Sequence, residues 1–332
     1  MSMALLEVKD LEVEFPLGRI TLQAIRKVSF SLEKGERLGI VGESGAGKSV
    51  AAFSILNLLS RPGRISGGEI LFEGDDISKF DDRQMRSIRG NRISMIFQDP
   101  MMTLNPVLTV ATQMIECLKA HRKISKKEAW DISVSKLKEV MIPSPEERME
   151  SYPHELSGGM RQRVVIAMAL LTDPEIIIAD EPTTALDVTI QAEIMVLMLD
   201  LCKSNNVGLI LITHDLAVVS QVTERIMVMY AGRVVEEGGT KEVITNPKHP
   251  YTRGLLKALP QENTAGSRLN QIRGTMPSLN ALPKGCAFNP RCDFATKECH
   301  QVVPKLEGRD GHNTACIHLE KIPSFKSELG NQ

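Results

Sequence analysis

Short apolar runs alternate with helical patterns along this chain, and that alternation predicts its elements. Arg37 to Val41 reads as a strand and Ser49 to Leu59 as the helix after it. Ile93 to Phe97 is a second strand. From Pro106 to Arg148 the pattern turns charged and helical with no strand signal, which predicts an inserted helical subdomain. Strand patterns return at Glu175 to Ala179 and at Gly208 to Thr213. Arg225 to Tyr230, then Ala231-Gly232, then Arg233 to Glu237 reads as a hairpin. Strands alternating with helices are the mark of an α/β domain with a largely parallel sheet. The composition shifts near Asn246, and the polar stretch Gln261 to Arg268 is a linker candidate.

Composition narrows the class. Apolar residues make up 42% and glycines number 24 in 332, which together is the globular average and excludes disorder and collagen-like structure. Forty basic against 41 acidic residues leave a net charge of −1, so no polybasic nucleic-acid or membrane-surface partner is expected. No apolar run approaches the roughly 18 residues that span a bilayer. The segment Met1 to Glu14 carries Glu7, Lys9, Asp10 and Glu12 and has no apolar centre, unlike a signal or transit peptide. A cytosolic chain in a reducing compartment is the expectation.

The chemistry begins at Gly42-Glu43-Ser44-Gly45-Ala46-Gly47-Lys48-Ser49, which fits G-x-x-x-x-G-K-[ST] without a gap. Gly42, Gly45 and Gly47 let backbone N–H groups, with that of Ser44, turn inward around phosphates. The helix that opens at Ser49 and Val50 aims its positive end at them. Lys48 can reach the β- and γ-phosphates, and the Ser49 hydroxyl can sit on Mg²⁺. A second motif agrees. Ile176 to Ala179 is a buried-type strand that ends in Asp180 and Glu181. Carboxylates at the C-terminal end of a parallel strand lie where ligands bind in open α/β sheets. Asp180 suits the Mg²⁺ shell, and Glu181 suits a general base or water-positioning role.

Leu156-Ser157-Gly158-Gly159-Met160-Arg161-Gln162 precedes a helical apolar run. It resembles the signature motif of ABC-type ATPases, and the resemblance runs from Leu5 to about Gly238. Gln98 matches the family's Q-loop glutamine. Thr184-Ala185-Leu186-Asp187 matches the D-loop, and His214 after Leu211-Ile212-Thr213 matches the switch histidine. The resemblance implies a P-loop ATPase of ABC type. Its parts would be a RecA-like core, an antiparallel β subdomain, a helical insert at about 99–172 and a small Cys-rich C-terminal extension. The ATPase domain would span 1–245 and the extension 246–332.

The family also implies two ATPase domains head to tail, each ATP held between one cradle and the partner's Ser157, Gly158 and Gly159. Asp187 would lie at that interface. Gln98 and His214 would act with Glu181 on the γ-phosphate, and Gln98 would reach Mg²⁺. Phe15 is a candidate to stack on adenine, or equally a core strand residue. His121 and His154 read as surface residues, and Trp130 as packing.

Asn246-Pro247-Lys248-His249-Pro250-Tyr251-Thr252 resembles the segment beyond the ATPase core of oligopeptide and dipeptide importers. Cys286, Cys292, Cys299 and Cys316 follow with the spacing C-x₅-C-x₆-C-x₁₆-C, whereas Cys117 and Cys202 sit in helical patterns as small buried apolar residues. Four clustered cysteines in a reducing compartment point to metal before disulfide. Zinc ribbons pair their ligands as tight C-x₂₋₄-C knuckles, and none exists here. The importer extension resembled here is expected to hold a [4Fe–4S] cluster, with zinc as the alternative. His300 and His318 adjoin two of these cysteines. The extension is expected to fold on its metal, so that changing one cysteine to serine loosens residues beyond about Pro283 while sparing the nucleotide site.

An importer ATPase implies two transmembrane permease subunits, a second and related ATPase subunit, and an extracytoplasmic peptide-binding protein. It implies a peripheral place on the cytoplasmic face of the membrane. Nickel or glycan importers share similar ATPases. A soluble ABC ATPase acting on DNA or the ribosome is a rival, weakened by the short insert and the single motif set. A redox-sensing module with little turnover is another, against which Glu181 and His214 stand.

Overall fold

The computed structural model describes residues 4–184, 186–259 and 271–325. The linker candidate Gln261 to Arg268 and the D-loop Ala185 lie outside the described residues. The chain divides into two compact units. The first comprises residues 1–32, 37–78 and 213–332, and the second comprises 33–36 and 79–212.

The first unit opens with an antiparallel sheet. Strands Leu6–Leu17 and Ile20–Leu32 form a hairpin across a two-residue turn, with Leu17 facing Ile20, and Arg64–Phe72 pairs on the other side of the first strand. Leu6, Val8, Leu11 and Val13 are all fully or almost fully buried, yet they do not share one alternating register. A bulge between Val8 and Leu11, with Asp10 at φ 44°, resets the phase so that both pairs face inward. That slip hides the strand from a search for strict alternation.

The strand Arg37–Val41 pairs in parallel with Arg225–Tyr230, Leu38 opposite Arg225 and Val41 opposite Val228. The chain then turns back into Arg233–Gly239. The turn residues Ala231 (φ 46°) and Gly232 (φ 77°) both take positive φ, the requirement of a type I′ hairpin, as Ala231-Gly232 predicts. Arg26 ties the two sheets of this unit together: its N–H donates to Gly232 O at 2.8 Å and its guanidinium to Ala231 O.

The helix after Arg37–Val41 runs Lys48–Ile55, shorter than the expected Ser49 to Leu59. Asn57 goes left-handed at φ 49°, and Leu58 N–H reaches back to Phe53 O at 2.8 Å, a closure that stops the helix. The C-terminal residues join this unit rather than standing apart. The short strand His312–Thr314 pairs with Glu236 and Glu237, and Glu307–Arg309 pairs with it in turn. These strands are too short and polar for the sequence to announce.

In the second unit, Ile93–Ile96, Ile176–Asp180 and Gly208–Thr213 lie in parallel, with Ile176–Asp180 in the middle. All five residues of that central strand are buried, which is why it reads as an unbroken apolar run. The expected helical stretch contains Val110–His121, Lys126–Glu139 and Pro145–Glu150. The first buries Val110, Met114, Ile115 and Leu118, and the second Ala129, Val134 and Leu137, each a stripe at helical spacing. Ser125 and Glu128 cap the second helix reciprocally, which fixes where it starts.

Candidate functional site: a phosphate cradle and its partners

The glycine loop occupies the turn between Arg37–Val41 and the helix Lys48–Ile55. Gly42 sits at φ 154°, where any Cβ would collide with Met229 O. Gly47 sits at φ 103° as the helix N-cap and makes no side-chain cap. A Cβ on it would stand 2.9 Å from Ile25 Cδ1. No acidic residue occupies the first turn of the helix, so no carboxylate there competes with a bound anion. Lys48 is only 5% exposed. Its ammonium donates to Gly42 O at 2.7 Å and Glu43 O at 3.1 Å. Ser44 and Gly45 are exposed, and Ser49 and Val50 are half-buried beside them. The same unit carries His214, exposed just past Gly208–Thr213, and Asp215, whose carboxylate caps the helix Leu216–Val222. Phe15 lies opposite Leu22 in the hairpin, half-buried, its ring over Gly63.

In the second unit, Asp180 ends its strand at 4% exposure. Glu181 then turns to φ 45°, a left-handed conformation uncommon for a non-glycine residue. Its N–H donates to Ile212 O at 2.8 Å. Its Oε2 accepts from Gln98 Nε2 at 3.1 Å and from Thr184 Oγ1 at 3.0 Å. Gln98 and Glu181, matched separately to the family's motifs, are thus in direct contact. Thr184 is a third member: the sequence placed it at the start of the D-loop match but gave it no role beside Glu181.

Ser157 is the N-cap of the 13-residue helix Gly158–Leu170, its hydroxyl accepting from Met160 N–H at 3.3 Å. Ser157 and Gly158 are exposed, as is Asp187, N-cap of Val188–Asn205. Leu186 packs against Gly158 and Ile190 against Gly159, so the two segments share one face of this unit.

The extension converges on two places. Cys286, Cys292, Cys299 and Cys316 line one small, largely apolar cavity of about 20 Å³, with Phe288, Phe294 and Ile317 among its walls. All four are free thiols. Burial pushes the Cys292 thiol up to about 11, and the neighbouring thiols of Cys286, Cys316 and Cys299 add to the rise. Cys286 and Cys316 are raised in the same way, burial first. Among the described residues, no group of three or more His, Cys, Asp or Glu side chains could hold a metal ion.

The second place is the cradle itself. Glu43 N–H donates to Tyr251 Oη at 2.7 Å, and Arg291 clasps the Glu43 carboxylate at 2.6 and 2.9 Å. The C-terminal residues thus reach the cradle through Tyr251 and Arg291. Neither residue carried a motif signal for this role, because the contact spans more than 200 positions of sequence.

The family described as "ABC transporter" matches residues 25–184, and "Oligopeptide/dipeptide transporter, C-terminal region" matches 235–299. The dipeptide transport ATP-binding protein DppD of Haemophilus influenzae is 49% identical over 314 residues, covering 95% of both chains. The oligopeptide transport ATP-binding protein OppD of Escherichia coli is 49% identical over 316 residues, covering 95% of this chain and 93% of that one. A solved dimeric ATP-binding cassette in a post-hydrolysis state, bound to ADP and Pi, aligns with a TM-score of 0.64 at 29% identity. It covers 71% of this chain and 98% of its own. With a phosphate cradle, a paired carboxylate and glutamine, and full-length likeness to such subunits, the chain belongs to the ABC transporter family, as an ATP-binding subunit of its oligopeptide/dipeptide group.

Proposed function

We propose that this chain hydrolyses ATP to drive import of dipeptides or oligopeptides through a membrane transporter. The observation that carries the reading is the near-complete coverage of peptide-transport ATP-binding proteins at about half identity, extending past the ATPase core into the C-terminal region. The residues support the chemistry. The cradle from Gly42 to Val50 binds the phosphates, and Phe15 meets the adenine. The Ser49 hydroxyl and the Asp180 carboxylate are the oxygen donors that Mg²⁺ favours, with Gln98 beside them in role. Mg²⁺, when bound, neutralises charge on the transferring phosphoryl group. Glu181, held by Gln98 and Thr184, orients the attacking water, and His214 contacts the γ-phosphate. Ser157, Gly158, Gly159 and Asp187 act on the nucleotide of a second, related ATPase subunit, where a helix N-terminus favours anionic phosphate.

No helix among the described residues is long and apolar enough to cross a membrane. In the proposed transporter the chain lies peripherally on the cytoplasmic face, two permease subunits form the path, and an extracytoplasmic binding protein chooses the peptide. Residues 1–245 are the motor and 246–332 the importer-specific part. Uptake of a labelled dipeptide by the reconstituted transporter tests it. Uptake should require ATP and stop with Glu181→Gln; ATP-dependent uptake of nickel or a glycan but of no peptide would refute the substrate class.

The four cysteines of the extension are the proposed ligands of a [4Fe–4S] cluster. The donor chemistry favours it: four thiols share one cavity, and burial makes those of Cys286, Cys292 and Cys316 reluctant to ionise, a penalty that a cationic centre would offset. A single zinc ion, at Zn–S of about 2.3 Å, needs its thiolates roughly 3.8 Å apart. A four-iron cube spreads them wider. About four irons and labile sulfide per chain are expected after anaerobic purification. One zinc without sulfide would replace the cluster by the alternative.

A further inference from the structure

Glu43 is an odd residue to find in an anion site. It follows Gly42 directly, and its own carbonyl accepts from Lys48 Nζ at 3.1 Å and from Ala46 N–H at 3.1 Å. An unpaired carboxylate here would repel the triphosphate that the loop is built to hold. The extension removes that charge. Arg291 Nη1 lies 2.6 Å from Glu43 Oε2 and Nη2 lies 2.9 Å from Oε1, a bidentate pair. The Arg291 side chain is only 4% exposed.

Arg291 is itself held on every side. Its Nε donates to Arg273 O at 2.8 Å, and its guanidinium lies 5.8 Å from the Tyr230 ring and 6.0 Å from that of Phe288. Tyr251, fully buried, stacks edge-on to Tyr230 at 4.7 Å and accepts the Glu43 N–H. Met276 Sδ lies 3.9 Å from where a Gly45 Cβ would stand. Backbone and side chain of one cradle residue are therefore both fixed by the C-terminal extension.

We infer that Arg291, with Tyr251, is a positioning residue for nucleotide binding: by clasping and neutralising Glu43 it holds the phosphate cradle in its binding shape, so that the extension sets the affinity for ATP. This rests on the cradle binding ATP, as proposed above. The clasp shapes the loop and not the carboxylate that handles water, so its loss falls on KM far more than on kcat.

The test is titration of the full chain with a fluorescent ATP analogue, alongside KM, kcat and the melting temperature of the nucleotide-free protein. Arg291→Met should weaken nucleotide binding about tenfold, within the span that contacting residues show in double-mutant cycles. Arg291→Lys keeps the charge but loses the fork, and should fall between. Removing the stranded charge should help: the Glu43→Gln/Arg291→Met double variant should bind ATP more tightly than Arg291→Met alone. A purely structural role would lower the melting temperature without this sign of coupling. If Arg291→Met does not fold, Arg291→Lys decides, and Tyr251→Phe provides an independent reading of the N–H contact. Binding by Arg291→Lys and Tyr251→Phe within twofold of wild type overturns the inference, as does a double variant weaker than Arg291→Met. Failure of the wild-type chain to bind the analogue at all would instead overturn the nucleotide site.

Discussion

At the scale of single residues, Glu181 is the proposed centre of the chemistry. It takes a left-handed φ of 45° and accepts from both Gln98 and Thr184, so its carboxylate is aimed by three constraints at once. Strain of this sort persists where surrounding structure over-determines it, commonly at functional sites. Glu181→Gln keeps the shape and can still accept the Thr184 hydroxyl, but it cannot take a proton or hold water as a charge. ATP binding should survive and hydrolysis should fall roughly 10²- to 10⁴-fold. Steady-state ATPase within threefold of wild type would remove Glu181 from the mechanism. The identities of Gln98 and Glu181 were legible in sequence, because motif spacing carries them. Their contact and the part of Thr184 were not, since they depend on where one strand ends beside another.

At the scale of elements, the extension shows how a segment poor in apolar runs is held. Buried Glu236 gathers it: Oε1 meets His312 Nε2 at 2.7 Å and Lys248 N–H at 2.6 Å, and Oε2 accepts His249 N–H at 3.0 Å. Burial alone would lower the pKa of His312, but Glu236 and Glu242 together raise it. The stability His312 adds is therefore fully present once the pH is below 6.5 and is lost as the pH climbs past the raised value. His249 behaves oppositely. Burial takes it from 6.5 down to about 4, against the pull of Glu236, so the folded protein holds it neutral. The unfolded chain binds that proton more readily, so His249 supports folding above pH 6.5 and loses this support as the pH falls towards 4.

His249 Nδ1 also caps the helix Pro250–Lys257 by accepting from Tyr251 N–H at 3.1 Å. Asparagine can supply the same acceptor without titrating. His249→Asn should therefore flatten the drop in melting temperature between pH 7 and 4.5 relative to wild type. Parallel curves for the two proteins would show that His249 does not contribute.

At the scale of the whole molecule, the proposed function makes this chain one part of a transporter, and gives Ser157 its role there. It is exposed, and it starts a helix whose first residues present backbone N–H groups outward. Under the proposed function, the nucleotide of a second ATPase subunit would meet that surface. Ser157→Arg should leave ATP binding by the isolated chain unchanged yet abolish cooperative ATPase in the assembled transporter. The lost cap costs only about 1 kcal/mol, a modest part of a domain's stability. Weaker ATP binding by the isolated variant would show that Ser157 acts within its own chain.

What the sequence determined by itself was everything that rests on local spacing. The cradle, the buried strand ending in Asp180, the signature before its helix and the Ala231-Gly232 hairpin each depend on neighbours within a few positions. Backbone geometry and helix periodicity leave those neighbours little choice. What the tertiary structure decided was what distant segments do to one another. The bulge at Asp10 put Leu6, Val8, Leu11 and Val13 on one face despite their broken alternation. The folding of the extension into the first unit brought Arg291 248 positions back to Glu43, and gathered four cysteines around one cavity. No local rule reaches that far, because such contacts are selected by how surfaces pack once the elements exist. The cradle could be read from eight consecutive residues; the hand that steadies it could not.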